Sequence, residues 1–230
     1  MSDVENHLIE LLPKKDRLRL LAQCELVNLA LSQVLSERGE ATHHAYFPVN
    51  GVISLLTLVD GHPDVEVGMV GREGMVGIQL SLEVPSAPMR ALVQGEGSAW
   101  RIGAVAFRRE LRASTALQRI LKRYVQVCIA QLASSAACLR FHMISPRLAR
   151  WLLMSQDRAH ADQFHVTHEF LAAMLGVRRV GVTMAAGALQ SVGLIEYRRG
   201  ELTVLDRPGL EAAACSCYAN DLLAYQSLLV

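Results

Sequence analysis

The sequence lacks any uninterrupted apolar stretch long enough to cross a bilayer, which argues against a helical membrane protein. It also lacks an N-terminal apolar signal region, because Asp3 and Glu5 stand in the first residues. Cysteine is sparse: five residues, odd in number and widely spread, favour reduced thiols over a disulfide framework. Internal repeats and low-complexity tracts are also missing. These absences predict a soluble, cytoplasmic protein that does not bind membranes.

What the chain does contain is ample apolar material. Hydrophobic residues make up 51% and charged residues 20% of 230 residues, a composition that can fill packed cores and differs from that of disordered proteins. The length exceeds that of a typical single domain, so two domains are expected.

Charge is unevenly distributed, although the net charge is only +1. Residues 1–100 carry 7 basic against 13 acidic residues, residues 101–158 carry 11 against 2, and residues 159–230 carry 5 against 7. A polyanion would therefore be attracted over distance to the middle of the chain, and its affinity should fall steeply with salt.

The first half of the chain contains a helical pattern followed by a pattern of short strands. Apolar residues at helical spacing over 8–38, interrupted at Pro13, predict short helices. From Ala45 to Ile102 the pattern becomes β-branched residues and glycine turns. It predicts strands at 52–59 and 65–70 and two more within 90–102. Short strands separated by glycine turns indicate an antiparallel sandwich or roll.

A long helix is predicted from about Ala104 to Leu139. Its apolar stripe recurs at steps of three and four: Leu121, Val125, Cys128, Leu132, Ala136 and Leu139. The small residues at 133–137 would let a partner helix come close, so the stripe is a candidate dimer seam. The alternative is a helix that packs on its own domain. Ser145-Pro146 marks the break after it.

The run from Thr167 to Leu205 has the order of a helix-turn-helix with a wing. Thr167 is a good N-cap, Gly176 occupies a tight turn, and a second helix follows from about Arg178 to Ser191. Residues 194–197 and 201–205 flank Arg198-Arg199-Gly200 as a hairpin. This arrangement is typical of a domain that places its second helix in a DNA groove.

Polar side chains in this run are the candidate DNA contacts. Arg178 and Arg179, at the start of the second helix, are the principal ones, because an arginine there can bridge a guanine. The secondary candidates are Thr183 and Gln190. Contacts that position the phosphate backbone are expected from Thr167, His168, Arg198 and Arg199. Two alternatives are a winged protein-interaction module and a small domain whose arginines are only a solvated face.

With these motifs, the chain resembles the Crp/Fnr (cyclic-AMP receptor/fumarate–nitrate regulator) family of bacterial transcription factors. The match is strongest in LAAMLGVRRVGVTMAAGALQSVGLI, residues 171–195. The resemblance implies an α+β fold: a β-roll effector-like domain (1–110), a dimerisation helix (111–143) and a winged helix-turn-helix domain (144–230). It also implies a homodimeric, non-enzymatic regulator that binds double-stranded DNA and contacts RNA polymerase.

The chain departs from the best-known members of that family. Val180 stands where they often carry glutamate, and Met184 replaces a common arginine, so the DNA site is expected to differ from the family's best-known palindrome. In the pocket that binds cyclic nucleotides in the family, Gly77 is retained, but Ile78 stands in place of glutamate. Arg90 falls near the position that binds the phosphate. The resemblance therefore leaves the small-molecule effector unassigned.

Two kinds of metal site use residue types that are present in this sequence. An iron–sulfur centre needs about four cysteine ligands, mostly near the N-terminus in this family, where only Cys24 lies. Cys215 and Cys217 are most simply buried or idle thiols, although a redox or metal role stays open. His43, His44, His62 and Glu66 would fit a cupin-like metal-dependent enzyme with an accessory helical domain, but adjacent residues of a strand face opposite sides. We therefore expect surface histidines and no metal or cofactor.

Overall fold

The computed structural model describes residues 6–58, 60–61, 64–159 and 161–229. By its contacts the chain forms two compact units. The first comprises residues 1–55, 69–129 and 228–230, and the second comprises residues 56–68 and 130–227. This division differs from the predicted one in two ways: it lies inside the long helix, and it assigns a short segment near residue 60 to the second unit.

Eight strands and nine α-helices are present among the described residues. The strands are β1 (Glu25–Leu29), β2 (Val34–Ser36), β3 (His44–Thr57), β4 (Val65–Val70), β5 (Arg90–Gly103), β6 (Gln163–His165), β7 (Ile195–Arg198) and β8 (Glu201–Val204). The helices are α1 (His7–Glu10), α2 (Lys14–Leu21), α3 (Ala104–Ala113), α4 (Thr115–Phe141), α5 (Ile144–Ala159), α6 (His168–Leu175), α7 (Arg179–Ser191), α8 (Arg207–Ala213) and α9 (Cys217–Leu229).

The N-terminal sheet has the order β1-β5-β3-β4, with β2 also paired to β5. Both β1 and β2 run antiparallel to β5. Its core contains Leu29, Tyr46, Ile53, Val76 and Val93, all buried. The predicted mixed fold with an antiparallel roll is therefore confirmed.

Two details of the N-terminal prediction were wrong. The helical pattern over 8–38 ends at Leu21, and Leu26 and Leu29 lie in β1, where pairing with β5 overrides the local spacing. The two strands expected within 90–102 are one strand of 14 residues. Glycine does not end that strand. Instead, a Cβ atom at Gly97 would stand 2.5 Å from the Asn50 carbonyl oxygen, so Gly97 allows the close approach of β3.

The predicted long helix is divided at Ser114. Its hydroxyl accepts a hydrogen bond from the Leu117 backbone N–H (3.1 Å), so α3 ends and α4 begins there. The buried face of α4 contains Leu117, Leu121, Tyr124 and Val127. Leu121 of the predicted seam is therefore a core residue.

Another face of α4 is apolar and exposed. Ile129 is 54%, Leu132 38% and Leu139 38% exposed, and Ala136 on the same face is also exposed. They follow one another at steps of three, four and three. This spacing is that of a heptad repeat in a coiled-coil seam. We call these four residues the α4 stripe.

The second unit has its own core, formed where α5, α6 and α7 meet the small sheet β6-β8-β7. Fully or almost fully buried members are Leu148, Leu152, Leu171, Val182, Leu189, Ile195 and Leu202. Among the described residues, no single helix is long and apolar enough to cross a membrane. By length and composition alone, only α6 and α7 taken together pass that test, and they are bent by 108°.

Candidate nucleic-acid interface

Helices α6 and α7 form the predicted helix-turn-helix. The Thr167 hydroxyl accepts a hydrogen bond from the Phe170 backbone N–H (3.1 Å) and thereby caps α6. Gly176 ends α6 with φ of 61°, in the left-handed region that glycine adopts without strain. The resulting angle of 108° lies in the usual range for this motif, which is about 90–120°.

Helix α5 packs against both α6 and α7. Arg147 is buried and donates a hydrogen bond from its guanidinium to the Leu175 carbonyl oxygen at the end of α6. The ring of Trp151 meets that of Phe170 edge-on at 6.4 Å. Gly181 lets α7 approach α5 closely, since a Cβ atom there would stand 2.6 Å from Ile144 Cδ1. Both helices are therefore held by α5 and by each other.

One side of α7 is buried and the other is open. Val182, Ala185, Ala186 and Leu189 pack into the core. The exposed residues at the start of the helix are Arg178, Arg179, Val180, Thr183 and Met184. Val180 is 63% and Met184 is 72% exposed, which is unusual for apolar side chains of this size. The open side is therefore basic at its N-terminal end and apolar next to it.

The wing is a tight hairpin with arginine at its tip. Arg198 pairs with Glu201 across the β7–β8 ladder, so Arg199 and Gly200 form a two-residue loop. Their φ angles are 54° and 89°, and two positive φ values are the signature of a type I′ turn. Gly200 also lies under the His165 ring, which leaves no room for a Cβ atom. Among the described residues, Arg178, Arg179, Arg198 and Arg199 have no ion-pair partner, so all four are available to phosphates.

His168 joins the helices to the wing. Its ring stacks on Tyr197 with centroids 4.4 Å apart, and its Nδ1 lies 3.0 Å from the Thr183 hydroxyl oxygen. Burial lowers the pKa of His168, and the nearby positive charge of Arg179 lowers it further. The imidazole is therefore favoured in its neutral form, and its contacts lie within the unit.

Gln190 contacts the wing from the far end of α7. Its side-chain oxygen accepts a hydrogen bond from the Tyr197 backbone N–H (2.9 Å). It lies 11 residues beyond Arg179, about 16 Å along the helix. The side chains of Thr167, His168, Thr183 and Gln190 therefore all make intramolecular hydrogen bonds, whereas those of the four arginines make none within the described part of the chain. Contact of these eight residues with DNA stays a prediction.

Fewer basic side chains of residues 101–158 are exposed and unpaired than the charge of this stretch suggested. Arg147, Arg150 and Arg158 are buried, and Arg101 pairs with Glu25 at 2.7 Å. Exposed basic side chains in this stretch include Arg112, Arg119, Lys122, Arg123 and Arg140. The long-range attraction predicted for residues 101–158 therefore depends on fewer charges than the sequence contains.

Within the described residues, the side chains that the sequence suggested for an effector or a metal site have local partners of their own. Gly77 adopts a positive φ of 91° before a short 3₁₀ turn over Ile78–Leu82. Arg90 pairs with Glu37 at 3.2 Å, and Glu66 accepts a hydrogen bond from the Trp151 indole N–H at 3.0 Å. His62 lies outside the described residues. Within them, His43, His44 and Glu66 do not come together as potential metal ligands.

A different ligand-like cluster is present among the described residues, and it was missed. It comprises Cys138, His142, Cys215 and Cys217. The C-x-C pair was the only signal in the sequence, since Cys138 and Cys215 are 77 residues apart.

Comparison with known proteins agrees with this geometry. Residues 146–213 match the Crp-like helix-turn-helix domain. Among solved structures, the chain is similar to FixK2 from Bradyrhizobium japonicum, with a TM-score of 0.70, 14% identity, and coverage of 84% of this chain and 98% of that one. It is similar to the c-di-GMP-responsive regulator CLP from Xanthomonas campestris, with a TM-score of 0.68, 16% identity and coverage of 84% and 100%.

A third similar structure is TTHB099, a transcriptional regulator of the CRP family from Thermus thermophilus. Its TM-score is 0.66 at 22% identity, with coverage of 82% of this chain and 96% of that one. A sequence search of curated proteins gives no match. The matched domain covers α5 to α8, the part of the chain that contains both arginine pairs.

Proposed function

We propose that this chain is a transcription regulator of the Crp/Fnr type that binds duplex DNA as a homodimer. Its Crp-like helix-turn-helix domain over residues 146–213 and its fold support this proposal. In the proposed complex, α7 enters the major groove and the β7–β8 wing follows the adjacent phosphate backbone. The regulator acts in the cytoplasm, where it contacts RNA polymerase, and its role is regulatory rather than enzymatic.

The observation that carries this proposal is the placement of the two arginine pairs. Arg178 and Arg179 lie at the start of α7, where helix residues reach base edges and where the positive end of the helix dipole favours phosphates. Arg198 and Arg199 lie at the wing tip. Since all four are exposed and free of ion pairs within the described part of the chain, binding to phosphates breaks no existing ion pair.

The apolar side of α7 suggests which bases are read. Val180 and Met184 are four residues apart and therefore lie on one face of the helix. In a major groove, the apolar group available to them is the C5-methyl of thymine. We therefore infer a half-site that combines guanine contacts from arginine with thymine contacts from this pair.

Dimerisation is assigned to the α4 stripe. Four positions at heptad spacing are exposed on one face of α4, and the small side chain of Ala136 allows two helices to approach closely. A second copy of this chain would cover the stripe, because two identical stripes can pack against each other across a two-fold axis. The two α7 helices of such a dimer would read half-sites about one helical turn apart, roughly 34–36 Å.

Selection of bound fragments from a random duplex pool tests the proposal. The full-length protein should enrich a two-fold-symmetric motif that contains guanine and thymine, with half-site centres separated by about one turn of DNA. Enrichment of no motif, together with binding to a protein partner through α7, would instead favour the winged protein-interaction module.

A further inference from the structure

Three thiols and one imidazole converge in the second unit, and none of the four belongs to the residues proposed to contact DNA. The ligand atoms of Cys138, His142, Cys215 and Cys217 all lie within 4.8 Å of one another. Cys138 Sγ is 3.5 Å from Cys215 Sγ, and Cys217 Sγ is 3.5 Å from His142 Nδ1. The three cysteines are buried. We call these four residues the thiol–imidazole cluster.

The cluster joins segments that are distant in sequence. Cys138 lies in the last turn of α4, and His142 follows directly after that helix. Cys215 lies between α8 and α9, and Cys217 is the first residue of α9. The cluster therefore connects the end of α4 to the start of α9.

The spacing matches a single four-coordinate ion. With Zn–S bonds of about 2.3 Å and Zn–N bonds of about 2.0–2.1 Å, ligand atoms of a tetrahedral site stand about 3.5–3.8 Å apart. The Cys138–Cys215 sulfur separation and the Cys217 sulfur–His142 Nδ1 separation are both 3.5 Å, and the four ligand atoms all lie within 4.8 Å of one another. An iron–sulfur cluster would need room for several iron and sulfide atoms between the ligands. A disulfide would use only two of the sulfurs and leave the third thiol and the imidazole unexplained.

The surroundings hold the ligands in place. The Cys217 sulfur lies 3.9 Å from the Ser134 carbonyl oxygen of α4. Next to the cluster, the buried Arg150 guanidinium pairs with Asp221 at 2.7 Å and donates a hydrogen bond to the Ser135 hydroxyl at 3.3 Å. These contacts tie α5 to both α4 and α9. Thiolates bound to a divalent ion would carry net negative charge, which the adjacent Arg150 partly offsets.

We propose that the thiol–imidazole cluster is a closed structural site for one zinc-type divalent ion, which fastens the end of α4 to the start of α9. Soft thiolate and imidazole ligands select zinc over magnesium or calcium. With four protein ligands, no coordination position is left for substrate, so the ion stabilises the fold and does not catalyse. Because its ligands are assembled only in the folded chain, binding stabilises the folded state.

The test is metal content and a spectroscopic signature of the full-length protein. Protein purified with zinc under reducing conditions should contain about one ion per chain after dialysis. Replacement by Co²⁺ should produce thiolate-to-cobalt charge-transfer bands and intense visible bands of tetrahedral coordination. Removal with a chelator should lower the midpoint of thermal unfolding, and zinc should restore it.

The matched variants distinguish the cluster from other thiols. Cys138→Ser and Cys217→Ser should lose the ion and the cobalt bands. Cys24→Ser and Cys128→Ser should keep both, since neither thiol belongs to the cluster. Less than about a tenth of an ion per chain in the zinc-purified protein, or a Cys138–Cys215 disulfide detected by mass spectrometry in its place, would overturn the proposal. These readouts do not involve DNA, so they are independent of the proposed function.

Discussion

At the residue scale, His168 links helix α6, helix α7 and the wing, because its ring stacks on Tyr197 and its Nδ1 contacts the Thr183 hydroxyl. Its pKa is lowered by burial and by Arg179, so the unfolded chain binds this proton more readily than the folded one. The stability that His168 contributes is therefore fully present above its unfolded pKa of about 6.5 and is lost as the pH falls through the lower pKa of the folded state.

We expect acid to destabilise the wild type more than a His168→Phe variant. Phenylalanine keeps a ring against Tyr197 but does not titrate. The difference in stability between the two proteins therefore reports the effect of protonating His168. The measurement is the midpoint of thermal unfolding between about pH 7.5 and about pH 5. Equal losses in both proteins would show that the neutral form of His168 does not contribute to the stability of this unit.

At the element scale, the glycines of α7 and the wing have opposite roles. Gly187 lies inside α7 with open space where a Cβ atom would stand, whereas Gly200 combines a φ of 89° with the His165 ring 2.9 Å away. Gly187→Ala should therefore raise the free energy of unfolding by about 0.5–1 kcal/mol through helix propensity. Gly200→Ala should lower it, because alanine is strained there. Chemical denaturation measures both, and a stabilising Gly200→Ala would contradict the turn assigned to the wing.

Local chemistry explains why some elements were predictable from the sequence. Thr167 as a cap, Gly176 at a positive φ and Arg199-Gly200 as a turn all act within a few residues, so the helix-turn-helix and wing were predicted closely. Gly97 also resembled a turn residue in the sequence. Its actual role is set by Asn50 on another strand, and such long-range packing has no local signal.

The same reasoning applies to the candidate sites. The exposure of the arginine pairs was predictable because they lie at the ends of elements. The intramolecular bonds of His168 and Gln190 were not, because they depend on where the wing folds back against the helices. The thiol–imidazole cluster was missed for a similar reason: the end of α4 and the start of α9 are adjacent only in the folded chain.

At the scale of the whole molecule, the proposed homodimer depends on the α4 stripe. Placing charges in it by Leu132→Glu with Leu139→Glu should convert the dimer to a monomer, because each charge would be buried against its symmetry mate. Sedimentation velocity measures this directly. The control is Arg123→Glu, which changes charge at an exposed position of α4 outside the stripe and should stay dimeric. A dimer that survives both glutamates would place the interface elsewhere.

Loss of the dimer should also weaken DNA binding, because the second half-site would no longer be bound at a high effective concentration. The monomeric variant is therefore expected to bind a two-half-site duplex only as tightly as a single half-site. The test is a titration of both duplexes at one salt concentration, since affinity for DNA is meaningful only at stated salt.

The central claim is that α7 reads DNA through its first residues, and equilibrium binding of an Arg178→Ala/Arg179→Ala variant to the selected duplex tests it most directly. Loss of base and phosphate contacts should cost at least about 2 kcal/mol, roughly a thirtyfold weaker Kd, and abolish the preference for the selected sequence. Arg112→Ala/Arg119→Ala removes the same charge from exposed positions outside the matched domain and should keep that preference. Unchanged affinity and sequence preference in the Arg178/Arg179 variant would contradict the assignment of α7 as the recognition helix.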